Sequence, residues 1–196
     1  NVNENQVFID DLDIMKLDVK SVRDNIAYVP QDNFLFSDTV TNNIAFSSEN
    51  PDMDKVVESA KFADVHDNII DFQNGYDTVS GERGVTLSGG QKQRISIARA
   101  FYKDAPIMIL DDSVSAVDVK TEENILKNIK ELRKGKTTLI VASRVSTVSN
   151  ADKIIVLRDG SVEAIGSHDE LCKTSKTYER MVYLQELEKE VEGGNI

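Results

Sequence analysis

The run Ile107-Met108-Ile109-Leu110, closed by Asp111-Asp112 and preceded by Leu87-Ser88-Gly89-Gly90-Gln91, constrains this chain more than any other feature. Four consecutive apolar residues without polar alternation read as a strand buried on both faces, and such strands belong to parallel sheets covered by helices. Ser88 is a helix N-cap residue, and the two glycines after it carry no Cβ. Backbone N–H groups at the positive end of the following helix are then open to an anion such as phosphate. Ser-Gly-Gly by itself is equally an ordinary capped helix after a turn. The strand and its carboxylates tip the reading toward a ligand site, because doubly wound sheets bind ligands outside the carboxyl ends of their strands.

The rest of the chain alternates strand and helix patterns, which predicts an α/β core. Val7-Phe8-Ile9 and Ile26-Ala27-Tyr28-Val29 read as short strands. Pro51 to Ala63 places Met53, Val56, Val57 and Ala60 at helical spacing and opens a helical insert that runs through His66-Asp67-Asn68-Ile69-Ile70. His66 reads as a surface or cap residue. In the helix after Ser88, Ile95, Ala98 and Tyr102 share one face and Pro106 marks the stop. Asp152 to Leu157, Asp159-Gly160 and Ser161 to Ile165 predict strand, tight turn and strand. His168 helps to start a short helix, and Tyr178 to Glu192 reads as an acidic helix.

With 196 residues and 40% hydrophobic content the chain can build a real core. Its 23 basic against 34 acidic residues give a net charge of −11, which opposes binding to nucleic acid or to an anionic lipid surface. No apolar stretch is long enough to span a bilayer, so membrane association has to come through a partner segment. The lone Cys172 has no internal disulfide partner, fits a reducing cytosol and reads as packing.

Leu87-Ser88-Gly89-Gly90-Gln91 resembles the signature of the ATP-binding-cassette (ABC) family, and nearly the whole chain follows that family's order of motifs. Tyr28-Val29-Pro30-Gln31 resembles its Q-loop, Ile107 to Asp111 its Walker B strand, and Ser115-Ala116-Val117-Asp118 its D-loop. Ser143 stands at the position of the switch histidine. Gly81-Glu82-Arg83-Gly84 is similar to the short loop with which ABC exporters touch the ends of transmembrane helices, although alone it is an ordinary surface turn. The resemblance implies ATP and Mg²⁺ as cofactors, with Asp111 and Gln31 toward the metal. Leu87, Ser88, Gly89, Gly90, Gln91 and Asp118 would face nucleotide, and Asp112, Ser143 and Gln31 would be the hydrolytic residues. Asp118 reads equally as a plain N-cap.

No Gly-x-x-x-x-Gly-Lys-Ser/Thr occurs, and Gly135-Lys136-Thr137 has Lys130 where the first glycine belongs. Asn1 to Asp10 resembles the segment downstream of that loop. The expected fold is therefore a P-loop NTPase (RecA-like) core, incomplete at its amino terminus, with an inserted helical subdomain. Core strands and Q-loop fall in 1–46, helical insert and signature in 47–105, Walker B to switch region in 106–172, and the acidic tail in 173–196. Such a chain alone is expected to bind Mg-ATP weakly and to be inactive.

Two positions depart from the family's pattern. Asp112 stands where a general-base Glu is expected, one methylene shorter, and Ser143 replaces an imidazole that can take up a proton near neutral pH. Together they resemble the degenerate half of a heterodimeric exporter at the cytoplasmic face of the cell membrane. The implied partners are a transmembrane domain and a second nucleotide-binding domain, with no nucleic acid. Two alternatives stay open: a soluble ABC-type ATPase of chromosome or DNA-repair type, and a non-catalytic regulatory module.

Overall fold

The computed structural model describes residues 2–81, 87–114 and 117–193. It divides into two compact units, Asn1–Val141 and Ala142–Ile196. The first opens with a short antiparallel hairpin, β1 (Phe8–Ile9) and β2 (Leu12–Asp13), and α1 (Val19–Asp24). Its main sheet is parallel in the order β3 (Ile26–Val29), β4 (Ile107–Asp111) and β5 (Thr137–Val141). Between β3 and β4 lies the helical insert: α2 (Val40–Ile44), α3 (Met53–Phe62), α4 (His66–Ile70) and α5 (Gly89–Lys103). The helix α6 (Val119–Leu132) joins β4 to β5.

The core of this unit gathers Ala27, Val29, Ile44, Val56, Ile69, Ile95, Met108, Leu110 and Ile125. Ile95, Ala98 and Tyr102 of α5 are all buried, on the face that the helical spacing selects. The loop after Gln31 is tied to this core by Asn43, which is buried and bonds Phe36 at both N–H and C=O (2.9 and 3.0 Å). Arg99 of α5 completes the tie by donating to the Asn43 carbonyl at 2.7 Å and to that of Phe34 at 3.0 Å.

Several local expectations shift. Helix α3 starts at Met53 and not at Pro51, because Asp52 caps it by accepting from the Asp54 and Lys55 N–H groups. Helix α5 ends at Lys103 before Pro106 can act, since Asp104 takes up the left-handed conformation (φ 55°) that closes a helix. His66 neither caps nor stands free: Val65 is the cap, and the half-buried imidazole Nδ1 hydrogen-bonds the Tyr76 hydroxyl at 2.8 Å. Strand β4 is fully covered on one face and half-covered on the other, where Ile107 and Ile109 are half-buried. Met108 and Leu110 are fully buried, while the opposite face, shared with Tyr28, Leu139 and Val141, leaves those three 54%, 50% and 49% exposed.

The second unit holds α7 (Val145–Val148), the antiparallel pair β6 (Ile154–Arg158) and β7 (Ser161–Gly166), α8 (His168–Thr174) and α9 (Lys176–Gly193). Asp159 and Gly160, both at positive φ, make the tight turn expected between the strands. Ser167 with Glu170 forms the capping box of α8, and His168 is the first residue of that helix. Leu171, Tyr178, Val145, Ile154 and Val156 form a separate small core, with the free thiol of Cys172 packed beside it.

An open apolar sheet face favours association between copies. The isolated chain is expected to self-associate in light scattering, and Leu139→Lys should lower the scattering mass at equal concentration. A second expectation concerns alkali. Burial pushes the Tyr76 hydroxyl up to about 12, with Asp67 adding to it. The unfolded chain loses that proton near about pH 10. Stability linked to Tyr76 is therefore complete below about pH 10 and falls as pH climbs toward about 12. Tyr76→Phe should flatten the drop in urea midpoint between about pH 9 and about pH 11.

Candidate functional site

The first turn of α5 is set by a reciprocal cap. Ser88 Oγ accepts from the Gln91 N–H at 3.2 Å, and Gln91 Oε1 accepts from the Ser88 N–H at 2.9 Å. Leu87 is buried and pins the turn, whereas Ser88 and Gly89 are exposed and Gly90 and Gln91 half-buried. A Cβ built on Gly89 meets nothing within 4 Å, and its φ is not in the left-handed region. Nothing among the described residues of this chain requires glycine there.

The carboxyl end of β4 gathers the second half of the site. Asp111, the last strand residue, pairs with Val141 and accepts a hydrogen bond from the Tyr28 hydroxyl at 2.9 Å. That bond keeps the proton on Tyr28 and raises its pKa. Asp112 follows in the left-handed region at φ 44°, an uncommon conformation for a residue with a Cβ. It is held from three sides. Its N–H donates to the Val141 carbonyl at 2.9 Å, its carbonyl accepts from Gln93 Nε2 at 3.4 Å, and its Oδ2 accepts from Gln31 Nε2 at 3.4 Å. A cavity of about 200 Å³ opens beside them, bounded by Gln31, Asp32, Asn33, Gly89, Lys92 and Gln93.

Gln31 is thus brought to Asp112, while Asp111 is engaged by Tyr28. Asp111 and Asp112, with Gln31 beyond the end of the neighbouring β3, make up a set of carboxylate and amide groups at the carboxyl edge of the sheet. It suits Mg²⁺, which takes one or two carboxylates and completes its shell with water and phosphate. Among the described residues no cluster of three or more acidic, His or Cys ligands exists.

Asp118 caps α6. Its Oδ1 accepts from the Thr121 N–H at 3.0 Å and its Oδ2 from the Thr121 hydroxyl at 2.7 Å. The hydroxyl bond first, then the backbone bond, lowers its pKa, and Arg94 adds a smaller pull. Ser115 and Ala116 of the proposed D-loop, and Glu82, Arg83 and Gly84 of the exporter-like loop, lie outside the described residues. Gly81 is described and needs to be glycine: at φ +111° its Cβ would stand 2.5 Å from Ser37 Oγ. Ser143 belongs to the second unit, exposed in the segment leading into α7.

Two contributors escaped sequence reasoning. Tyr28 was legible in principle, because it pairs with Ile109 and the period of two puts both on the face of Asp111. Gln93 left no such sign, as a polar residue in a helix reads as solvent-facing until its burial is known.

A sequence model described as ABC transporter matches residues 1–115, more than half of the chain. The chain belongs to the ABC transporter family. Among the relatives of this ABC transporter segment is a putative multidrug export ATP-binding/permease protein of Bacillus subtilis, YgaD. It is 43% identical over 187 residues, covering 95% of this chain and 32% of the relative. The multidrug resistance-like ATP-binding protein MdlA of Escherichia coli is 46% identical over 188 residues, covering 96% and 32%. A bacterial Atm1-family ABC exporter solved with ATP bound superposes with a TM-score of 0.86 at 39% identity, covering 91% of this chain and 31% of that one. The fold is therefore the P-loop ATPase fold of ABC transporters, and the chain spans about a third of the length of these relatives.

Replacing Asp118 by Ala removes the cap of α6 and should lower the urea midpoint of unfolding. Because the pKa of Asp118 is depressed, its contribution is present above the unfolded value of about 3.9 and is lost as pH falls through the lower folded value. The Asp118→Ala difference should therefore shrink in acid.

Proposed function

We propose that this chain is a nucleotide-binding domain of an ABC exporter, which couples ATP binding and hydrolysis to transport, and that it is the degenerate member of a pair. The single observation that carries this reading is a contrast. The signature turn is intact, capped and exposed, with a glycine that no described residue of this chain needs. Asp112 and Ser143 meanwhile depart from the family's hydrolytic residues. A glycine without an internal reason points to a requirement met outside the chain, at a phosphate held by a partner domain.

In this reading Ser88 and the N–H groups of the first turn of α5 donate to the γ-phosphate held by the partner's phosphate loop. At this chain's own site Asp111 and Gln31 offer oxygens to Mg²⁺, which when bound offsets the charge of the phosphates. Tyr28 holds the Asp111 carboxylate in place. Asp112 stands where a base would take the proton from the attacking water. Its side chain is one methylene short, and an error of about 1 Å can cost on the order of 100-fold in rate. Ser143 can donate a hydrogen bond to phosphate but cannot take up a proton near neutral pH. The chain so completes its partner's site while its own stays slow. The partners are a transmembrane domain and a second ABC domain, and the seat is the cytoplasmic face of the membrane. The names of the relatives, a putative multidrug export protein among them, agree with an exporter. A net charge of −11 disfavours a DNA-bound ATPase.

The departures at Asp112 and Ser143 also favour a second reading, a regulatory ABC module without turnover. The full transporter with its partner domain separates the two in an ATPase assay. Ser88→Arg, which places a bulky cation at the signature turn, should remove most turnover, whereas Asp112→Ala should change it by less than about threefold. Turnover abolished by Asp112→Ala and spared by Ser88→Arg would make Asp112 a working base and end the degenerate assignment. Turnover untouched by either change supports the regulatory module.

A further inference from the structure

Gln93 lies one turn inside α5, beyond the signature cap, yet it is only 2% exposed and turns its Nε2 to the Asp112 carbonyl at 3.4 Å. Asp112 occupies a left-handed conformation, uncommon for a residue with a Cβ, and neighbours bond its backbone on both sides of the peptide. Its N–H is held by Val141 on β5, an element of the same sheet. Its carbonyl is held by Gln93, which belongs to the helix that carries the signature at its other end. The rigid segment between Ser88 and Gln93 is about one and a half helical turns, close to 7 Å. Gln93 Oε1 is closed to solvent and has no partner among the described residues, so the amide is kept at this place at a cost, and packing alone does not explain its polarity.

The geometry assigns Gln93 as a positioning residue that transmits the state of the signature to Asp112. This rests on the reading above, in which the signature serves the partner's ATP and Asp112 serves the chain's own. Ser88 and Gln93 share the amino-terminal part of α5, ahead of the enclosed Ile95, Ile97 and Ala98, so a shift of the first turn when Ser88 engages phosphate carries Gln93 with it while the body of the helix stays in place. The Asp112 carbonyl then follows or loses its donor, and the carboxylate beyond it changes its aim. One chain thereby links two ATP sites through a single amide.

The test uses the full transporter with its partner domain and reads the retention of 8-azido-ATP photolabelled onto this chain, alongside ATPase rate. Ser88→Ala alters the signature, which contributes to the partner's site, and is expected to change release from this chain's own site by on the order of tenfold. In a Gln93→Met background, which keeps length and burial but removes the donor, the same Ser88→Ala change should move release by less than about twofold. A purely structural glutamine would lower the unfolding temperature and leave that transmission intact. Persistence of the Ser88→Ala effect in Gln93→Met overturns the inference while wild-type turnover keeps the functional reading. A wild-type complex that neither labels nor hydrolyses removes both. Gln93→Glu, equal in length and without the NH₂ donor, replaces Gln93→Met if that variant does not fold, and the same outcomes decide.

Discussion

Burial of one helix organises this molecule. Along α5 the side chains of Ile95, Ile97 and Ala98 are fully enclosed, and at full burial each large aliphatic group is worth about 1.5–3 kcal/mol. With its body fixed in this way, the helix cannot tilt to satisfy its ends, so the ends have to be satisfied where they stand. Ser88 and Gln91 close the amino end reciprocally, and Asp104 closes the carboxyl end. Lys103 adds an anchor to the Ile26 carbonyl at the start of the sheet (2.8 Å). Arg99 reaches sideways to the loop after β3. The Q-loop segment, the signature turn and the sheet are thus all referenced to a single rod.

The same arrangement explains why the chemistry-bearing groups collect at one strand end. Parallel pairing of β3, β4 and β5 brings the carboxyl termini of three strands to one edge, and Gln31, Asp111 and Asp112 all lie there. What the sheet cannot supply is the last adjustment of Asp112, whose left-handed backbone turns its carboxylate out of the strand direction. Contacts from β5, from α5 and from the Q-loop converge on that residue. Each of those bonds is modest by itself, at net values of about 0.5–1.5 kcal/mol, yet their convergence fixes a conformation that none would hold alone.

Much of this was legible in the chain itself. The apolar run before Asp111, the cap at Ser88 and the turn at Asp159-Gly160 each carry a local rule, and each stands in the structure where the rule puts it. Reading failed where the decisive partner is remote in sequence. Nothing near His66 announces Tyr76, and nothing near Asp112 announces Gln93. Strand β4 was read as covered on both faces because apolarity records what a residue tolerates, whereas coverage depends on what packs against it. The stop of α5 was assigned to Pro106, since proline is the louder signal, although Asp104 had already bent the chain. For the candidate site, the sequence offered residues and their order along the chain, but not the pairing of Tyr28 with Asp111 or of Gln31 with Asp112.

Among the described residues, five of the six non-glycine residues at positive φ are aspartates: Asp10, Asp64, Asp104, Asp112 and Asp159. Aspartate is tolerated in that region because its short side chain bonds the local backbone, and asparagine shares the property. The chain has therefore drawn several of its bends and five of its 34 acidic side chains from the same residues. Shape and charge are nonetheless separable at such positions, since an amide can inherit the bend without the anion. A lineage could in this way drift toward neutrality, and toward different neighbours on its surface, along a path that leaves the course of the backbone untouched.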